Sequence, residues 1–406
     1  MPHRGKMCRM GIRTPEIKVK PDVLKWAREA MGFDVPTAAK KLSIKPTLVS
    51  DWEQKEQPIS IARLRKVANV YKRSLAVFLL PNAPHVATFP PDFRTLDSVK
   101  TDTLSPETRL AIRKAQRNRE FFIELLESLN QKYKRADVSF SLEDSPSDLA
   151  AKFRKKVGVE LKTQFGWDDK AAALKEWISV VESLGILVFQ MPMPIKELRA
   201  FCLRDRSLPL AVVLNTKDDP HGRIFSLLHE VSHLLIKQSD IDRLTARKGE
   251  AEGHKIVEWF ANSFAGSFLV PEISLLEDRY AKRYLETKSD GDLARLRGLY
   301  KVSPEVILRR FLELGRITEK EYREKKILLE QEMDRYRERQ EKKNKEKGGF
   351  RNVSMESFQR AGPLLTGKTF TAMNEGRIAG ADVARFYEIK QTHIAKIKTI
   401  LDKRKT

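Results

Sequence analysis

His229-Glu230-Val231-Ser232-His233 sets two imidazoles four residues apart with a carboxylate between them, inside an apolar run that extends from Phe225 to Ile236. On an α-helix, positions i and i+4 stand one turn apart on one face, so both histidines can grip a single metal ion. The residue after the first histidine then reaches a water at that ion, and a glutamate there can take its proton. The chemistry this spacing supports is hydrolysis by a metal-activated water, with His229 and His233 as ligands, Glu230 as general base and one Zn2+ per chain.

Such a motif needs a helix to hold it. Ile224, Phe225, Leu228, Val231, Leu235 and Ile236 make an apolar side, while Ser226, His229, Glu230 and His233 fall along the other. Asp219-Pro220 is a start signal: a capping carboxylate, then proline at the first helical position, where a missing N–H costs nothing. A catalytic zinc takes three protein ligands and keeps one position open, so a third ligand must come from elsewhere. The metzincin pattern would place glycine and histidine at positions 236 and 239, where this chain has Ile236 and Ser239. A downstream helix must therefore contribute, and residues 250–265 offer Glu250, Glu252, His254 and Glu258. Glu258 is the candidate because it shares a stripe with Ala261, Asn262 and Ala265, whose small size would let the two helices approach closely. Asn262, one turn further on, is placed to hydrogen-bond a ligand from behind.

Upstream, Gly185–Gln190, Ala200–Leu203 and Leu210–Asn215 are short apolar or β-branched runs bounded by turn and charged residues, which predicts a small antiparallel sheet. Val212, Val213, Leu214 and Asn215 are expected to form an edge strand beside the metal helix that holds extended substrate by backbone pairing. No residue announces itself as an oxyanion stabiliser.

At the N-terminus, closely spaced short helices are predicted near Leu24–Ala27, Val35–Leu42, Lys45–Gln54, Ile61–Tyr71 and Leu75–Leu79. The second and third, joined by Ser43-Ile44, have the spacing of a helix-turn-helix pair. Lys45, Thr47, Ser50, Gln54 and Lys55 would then face a DNA major groove or its phosphates, with Asp51 opposing the approach. The other use of such a module is protein docking.

With 406 residues and 41% hydrophobic content the chain can build two or three real cores, and its formal charge of +22 favours polyanionic partners. Cys8 and Cys202 are too few for a disulfide framework or a thiolate metal site. The absence of an apolar run of membrane-spanning length, and of an apolar signal core, points to the cytoplasm. Gly362-Pro363-Leu364-Leu365-Thr366-Gly367-Lys368-Thr369 satisfies the P-loop pattern, yet no buried strand precedes it and too little chain follows to complete a nucleotide-binding sheet. A small helical unit is expected there, and no nucleotide partner.

The stretches Arg223-Ile224-Phe225, His229 to His233, and Glu258-Trp259-Phe260-Ala261-Asn262-Ser263-Phe264-Ala265 through Leu269-Val270-Pro271 together resemble the ImmA/IrrE family of bacterial metallo-endopeptidases. Residues 17–81, with Trp52-Glu53, Pro58 and Leu64, resemble the XRE-type helix-turn-helix often fused ahead of such peptidases, and Pro91-Asp92-Phe93-Arg94 resembles their connector. The resemblance implies a zincin-like domain, His229, His233 and Glu258 as zinc ligands, Glu230 as base, and a protein substrate that is a repressor of a phage or mobile element or a stress regulator. Val231-Ser232 departs from the Leu-Gly or Leu-Ala common in the family.

The expected fold class is α+β, mainly α. Its parts are a disordered basic tail (1–16), a five-helix XRE-like domain (17–81), a linker and helical connector (82–146), a zincin-like domain (147–275), a helical extension (276–318), a charged helical linker (319–349) and a C-terminal helical unit (350–406). The competing function is a DNA-binding regulator, antirepressor or antitoxin-like, whose metal domain is sensory or structural. Intact Glu230 favours the peptidase, because a metal site without hydrolysis needs the ligands but not the base.

Overall fold

Capping side chains and prolines at the first helical position set many of the helix starts. Asp34, Ser60, Ser145, Asp169, Asp219, Asp278 and Ser303 each accept a hydrogen bond from a backbone N–H of the turn that follows. The computed structural model describes residues 15–84, 104–135, 137–204, 208–346 and 352–405. Most of the expected basic tail and the Pro91-Asp92-Phe93-Arg94 stretch lie outside the described residues. The described chain forms two compact units, residues 15–84 with 104–112, and residues 113–405.

In the first unit, β1 (Glu16–Lys18) precedes α1 (Pro21–Glu29), α2 (Val35–Leu42), α3 (Pro46–Gln54), β2 (Pro58–Ser60) and α4 (Ile61–Val70), and a 3-10 turn spans Leu75–Leu79. The two strands pair antiparallel, with Ile17 opposite Ile59. Val23, Leu24, Ala27, Ala38, Leu42, Val49, Trp52, Leu64, Val67 and Phe78 close one core. Ser43, at φ 56°, takes the left-handed conformation that turns α2 into α3. Arg28 and Glu53 lock α1 to α3 in a buried two-point ion pair at 2.7 and 2.8 Å, and Arg28 also donates to Phe33 O.

Helix α5 (Pro106–Ser128) leads, from Arg113 on, into the second unit. There follow α6 (Pro146–Val157), α7 (Leu161–Gly166), α8 (Lys170–Ser183), β3 (Leu187–Met191), β4 (Ala200–Leu203), β5 (Ala211–Asn215), α9 (Pro220–Leu235), α10 (Gln238–Lys248) and α11 (Glu250–Leu269). Then come α12 (Glu272–Glu277), α13 (Arg279–Thr287), α14 (Asp290–Tyr300), α15 (Pro304–Glu313), α16 (Glu319–Glu346), α17 (Val353–Ala361), α18 (Pro363–Asn374), α19 (Gly380–Tyr387) and α20 (Ile394–Lys405). The architecture is α+β and mainly α. Among the described residues no helix is long and apolar enough to cross a membrane.

The sheet is mixed, where an antiparallel one was expected. Its order is β3-β5-β4, with β3 parallel to β5 and β4 antiparallel to it. The chain reverses at β4 and again at β5, so β5 must run with β3, and it inserts between the other two strands. Val212 to Asn215 therefore belong to the central strand, which is buried along its whole length and has no free edge. That overturns their expected role as an edge strand for substrate. A short run buried at every position carries no alternation that distinguishes a central from an edge strand.

The outer edge of β3 is covered by α17 and α18. At their junction Gly362 (φ 78°) approaches so closely that a Cβ would lie 2.3 Å from Val188 O, which only glycine avoids. The Gly362–Thr369 pattern is thus a helix junction and the first turns of α18, and Lys368 Nζ donates to Gln131 Oε1. Helix α15 packs on α11, and Arg310 Nε donates to Val270 O at its end.

Candidate metal centre

Helix α9 starts where Asp219 and Pro220 set it, with Asp219 Oδ1 accepting from His221 N. Lys170 also bonds Asp219. Burial favours the neutral acid, but His221, Lys170 and the helix N–H together hold this carboxyl well below the usual range. Arg223 NH1 donates to Gln190 Oε1 at 2.8 Å, tying α9 to β3. The helix is buried nearly all round, with Leu227, Leu228, Val231, Leu234 and Leu235 in the core and even Glu230 4% exposed. The polar side proposed from periodicity thus faces a second layer of protein as well as the site.

That layer is α11. Phe260, Ala261, Phe264, Ala265 and Phe268 are buried along it. Ala261 and Ala265 are fully buried, as the stripe of small residues required for a helix packed closely on α9. The result is convergence of three side chains. His229 Nε2 and His233 Nε2 are 3.1 Å apart. Glu258 Oε2 lies 3.4 Å from His229 Nε2, and Glu258 Oε1 lies 3.2 Å from His233 Nε2. One donor atom from each residue falls within 4.8 Å of the others, the sole such cluster of metal-ligand type among the described residues.

The donor set fits a zinc ion. Two imidazole nitrogens and a carboxylate oxygen suit a borderline cation, and three protein ligands leave a position open. Electrostatics point the same way. Burial works against charge on His229, yet Glu258, Glu230 and Asn262 outweigh it and shift this imidazole upward. Burial would raise Glu258, and the two imidazoles instead hold it well below the carboxylate range. A field that stabilises positive charge between these three groups stabilises a divalent cation there.

Glu230 adjoins this cluster, and its Oε2 is buried without a hydrogen-bond partner among the described residues. A buried carboxylate oxygen left open is costly in a purely structural role, whereas an acceptor for a proton has to stay open. Asn262 acts on His229 from the next turn of α11. Glu250, Glu252 and His254, the other downstream candidates, are not in the cluster. Two neighbours of the site were not foreseen. The Phe225 ring lies 6.2 Å from that of His229, and Arg204, just past the end of β4, donates to the carbonyl of His233 at 3.4 Å. Phe225 could have been found from its i−4 spacing to His229; Arg204 approaches only through the fold.

Asn215, expected to meet substrate, is spent on structure. Its amide donates to Met193 O and Leu198 O, and its carbonyl accepts from Met193 N and Lys217 N, which fastens the loop between β3 and β4. In the first unit, Lys45, Thr47, Gln54 and Lys55 are exposed on α3 and its flanks and Ser50 is half-buried. Lys45 occupies the cap position of α3 without a side-chain cap bond and is exposed.

Residues 181–312 match the family described as the IrrE N-terminal-like domain, a peptidase family, and residues 24–78 match the helix-turn-helix family. No curated protein matches the chain.

Proposed function

We propose, for a chain that joins an ImmA/IrrE-type metallopeptidase domain to an N-terminal XRE-type helix-turn-helix, that it is a zinc-dependent endopeptidase of the cytoplasm. Its substrate is a transcriptional repressor or regulator, of a phage or mobile element or of a stress response. The observation that carries this reading is the meeting of His229, His233 and Glu258 beside a buried Glu230 whose Oε2 is open.

His229, His233 and Glu258 would hold the ion, which when bound supplies positive charge to acidify a water and polarise the scissile carbonyl. Glu230 takes the proton of the attacking water at its open oxygen and returns it to the leaving amine. Asn262 fixes the orientation of His229. An extended peptide is expected to pair with the outer edge of β4, because that strand packs on α9 while the edge of β3 is covered by helices. Lys45, Thr47, Ser50, Gln54 and Lys55 give the helix-turn-helix its contacts to DNA, which would deliver the peptidase to DNA-bound regulators.

The test is zinc content measured together with cleavage of the repressor encoded beside this gene, for wild type and Glu230→Gln. The expected result is one zinc in both and cleavage by wild type only, with the variant down by roughly 10²–10⁴-fold. Zinc in both and cleavage by neither would favour the regulator reading.

A further inference from the structure

Tryptophan is a costly residue to leave in water, and four of the five in this chain are packed. Trp52 and Trp177 are buried, Trp167 stands edge-on to Trp177 at 4.9 Å, and Trp26 packs on the first core with Arg73 4.2 Å above its ring. Trp259 is 59% exposed, and among the described residues its ring meets no aromatic or cationic partner and its indole N–H no acceptor. Nothing in the fold needs an indole at this position.

Its place on α11 gives it a use. At about 100° per residue, Glu258, Asn262, Lys255 and Trp259 fall within roughly a third of the helix circumference. Glu258 and Asn262 look onto the two histidines, so Trp259 stands at the solvent side of the same sector, next in sequence to a metal-binding carboxylate. Among the described residues the other large exposed hydrophobic side chains are non-aromatic and none is on α11. An indole offers a rigid, flat apolar surface with little rotamer entropy to lose on binding, which suits capture of a side chain from an extended peptide.

We propose that Trp259 is a specificity-determining residue, whose indole face packs against a large apolar side chain beside the scissile bond. The substrates are therefore regulators cut next to a Leu, Met, Phe or Tyr in an unfolded or unfoldable segment. This rests on the hydrolytic reading of the metal centre, and two readouts separate the fates of the two claims.

In the first, zinc-loaded wild type, Trp259→Ala and Trp259→Phe are presented with a casein peptide pool and cleavage sites are read by mass spectrometry. The alanine variant should lose kcat/KM at sites flanked by large apolar residues by about 10–200-fold relative to small ones, mostly through KM, and phenylalanine should restore most of it. In the second, zinc-loaded Glu230→Gln is titrated with pools of Leu- and Phe-centred or Ser-centred hexapeptides while tryptophan emission is recorded. The apolar pool alone should shift emission, and the shift should vanish in Glu230→Gln with Trp259→Phe. Cleavage with unaltered preference, or emission that is indifferent to the apolar pool, overturns the inference while leaving the peptidase in place. An emission shift without cleavage by wild type sustains the binding role and overturns the hydrolytic reading.

Discussion

Replacing Glu182 with Gln should stabilise the protein at pH 8 and leave it unchanged near pH 4.5. Glu182, in the last turn of α8, has its carboxyl buried against the C-terminal helices, and Oε2 accepts from Leu364 N at 3.0 Å. Burial pushes this acid from its ordinary 4.5 up to about 8, against the smaller opposing pulls of the Leu364 N–H, of Arg404 and of the Val188 backbone N–H. A folded-state pKa above the unfolded one means that the folded chain keeps a proton the unfolded chain has released. Stability is therefore lost as pH rises from about 4.5 to 8, and the loss levels off above 8. At about 1.4 kcal/mol per pH unit the whole interval amounts to roughly 5 kcal/mol, comparable to the net stability of a domain. Gln keeps a carbonyl for Leu364 N–H and has no proton to lose. Urea unfolding followed by far-UV circular dichroism at pH 5, 6, 7 and 8 gives the difference between variant and wild type, in which other titrating groups cancel. That difference should climb by about 1.4 kcal/mol per unit over the interval. A difference flat in pH would refute the assignment of a buried, protonated Glu182.

The candidate metal centre and the helix-turn-helix give two further tests. Glu258→Ala should lower zinc content at matched free zinc, measured by inductively coupled plasma mass spectrometry, while the fold persists; full occupancy would remove Glu258 from the ligand set and direct attention to His254 or Glu252. DNA affinity, measured by fluorescence anisotropy, should fall steeply with salt, and Lys45→Ala or Lys55→Ala should each reduce the log–log salt slope by about 0.9. Binding that ignores salt, or no binding at all, would leave the first unit as a protein-docking module.

The helices were legible because their signals are local. Asp219-Pro220 starts α9, His229 and His233 share a face of it, and Ala261 and Ala265 mark the side of α11 that must lie close to another helix. Glu258 could be picked from four downstream candidates on that stripe alone. The strands were read with the right positions and the wrong order. Leu187–Met191, Ala200–Leu203 and Ala211–Asn215 are apolar but for Gln190 and Asn215 and buried but for the half-buried Cys202, so they show no alternation that hints at their neighbours.

By itself, then, the sequence determined the chemistry within reach of one helix: two imidazoles and a carboxylate at fixed helical spacing, an amphipathic frame and a capped start. Those depend on backbone geometry over a few residues, which is the same in any fold. Tertiary structure decided what depends on distant segments meeting. It brought Glu258 to 3.4 and 3.2 Å from the two histidines, put β5 in the middle of the sheet, laid Arg204 beside His233, and buried Glu182 under Leu364. Only Glu258 had a helical stripe to point to it; the other three have no periodicity to read, because each arises from packing between elements far apart in the chain.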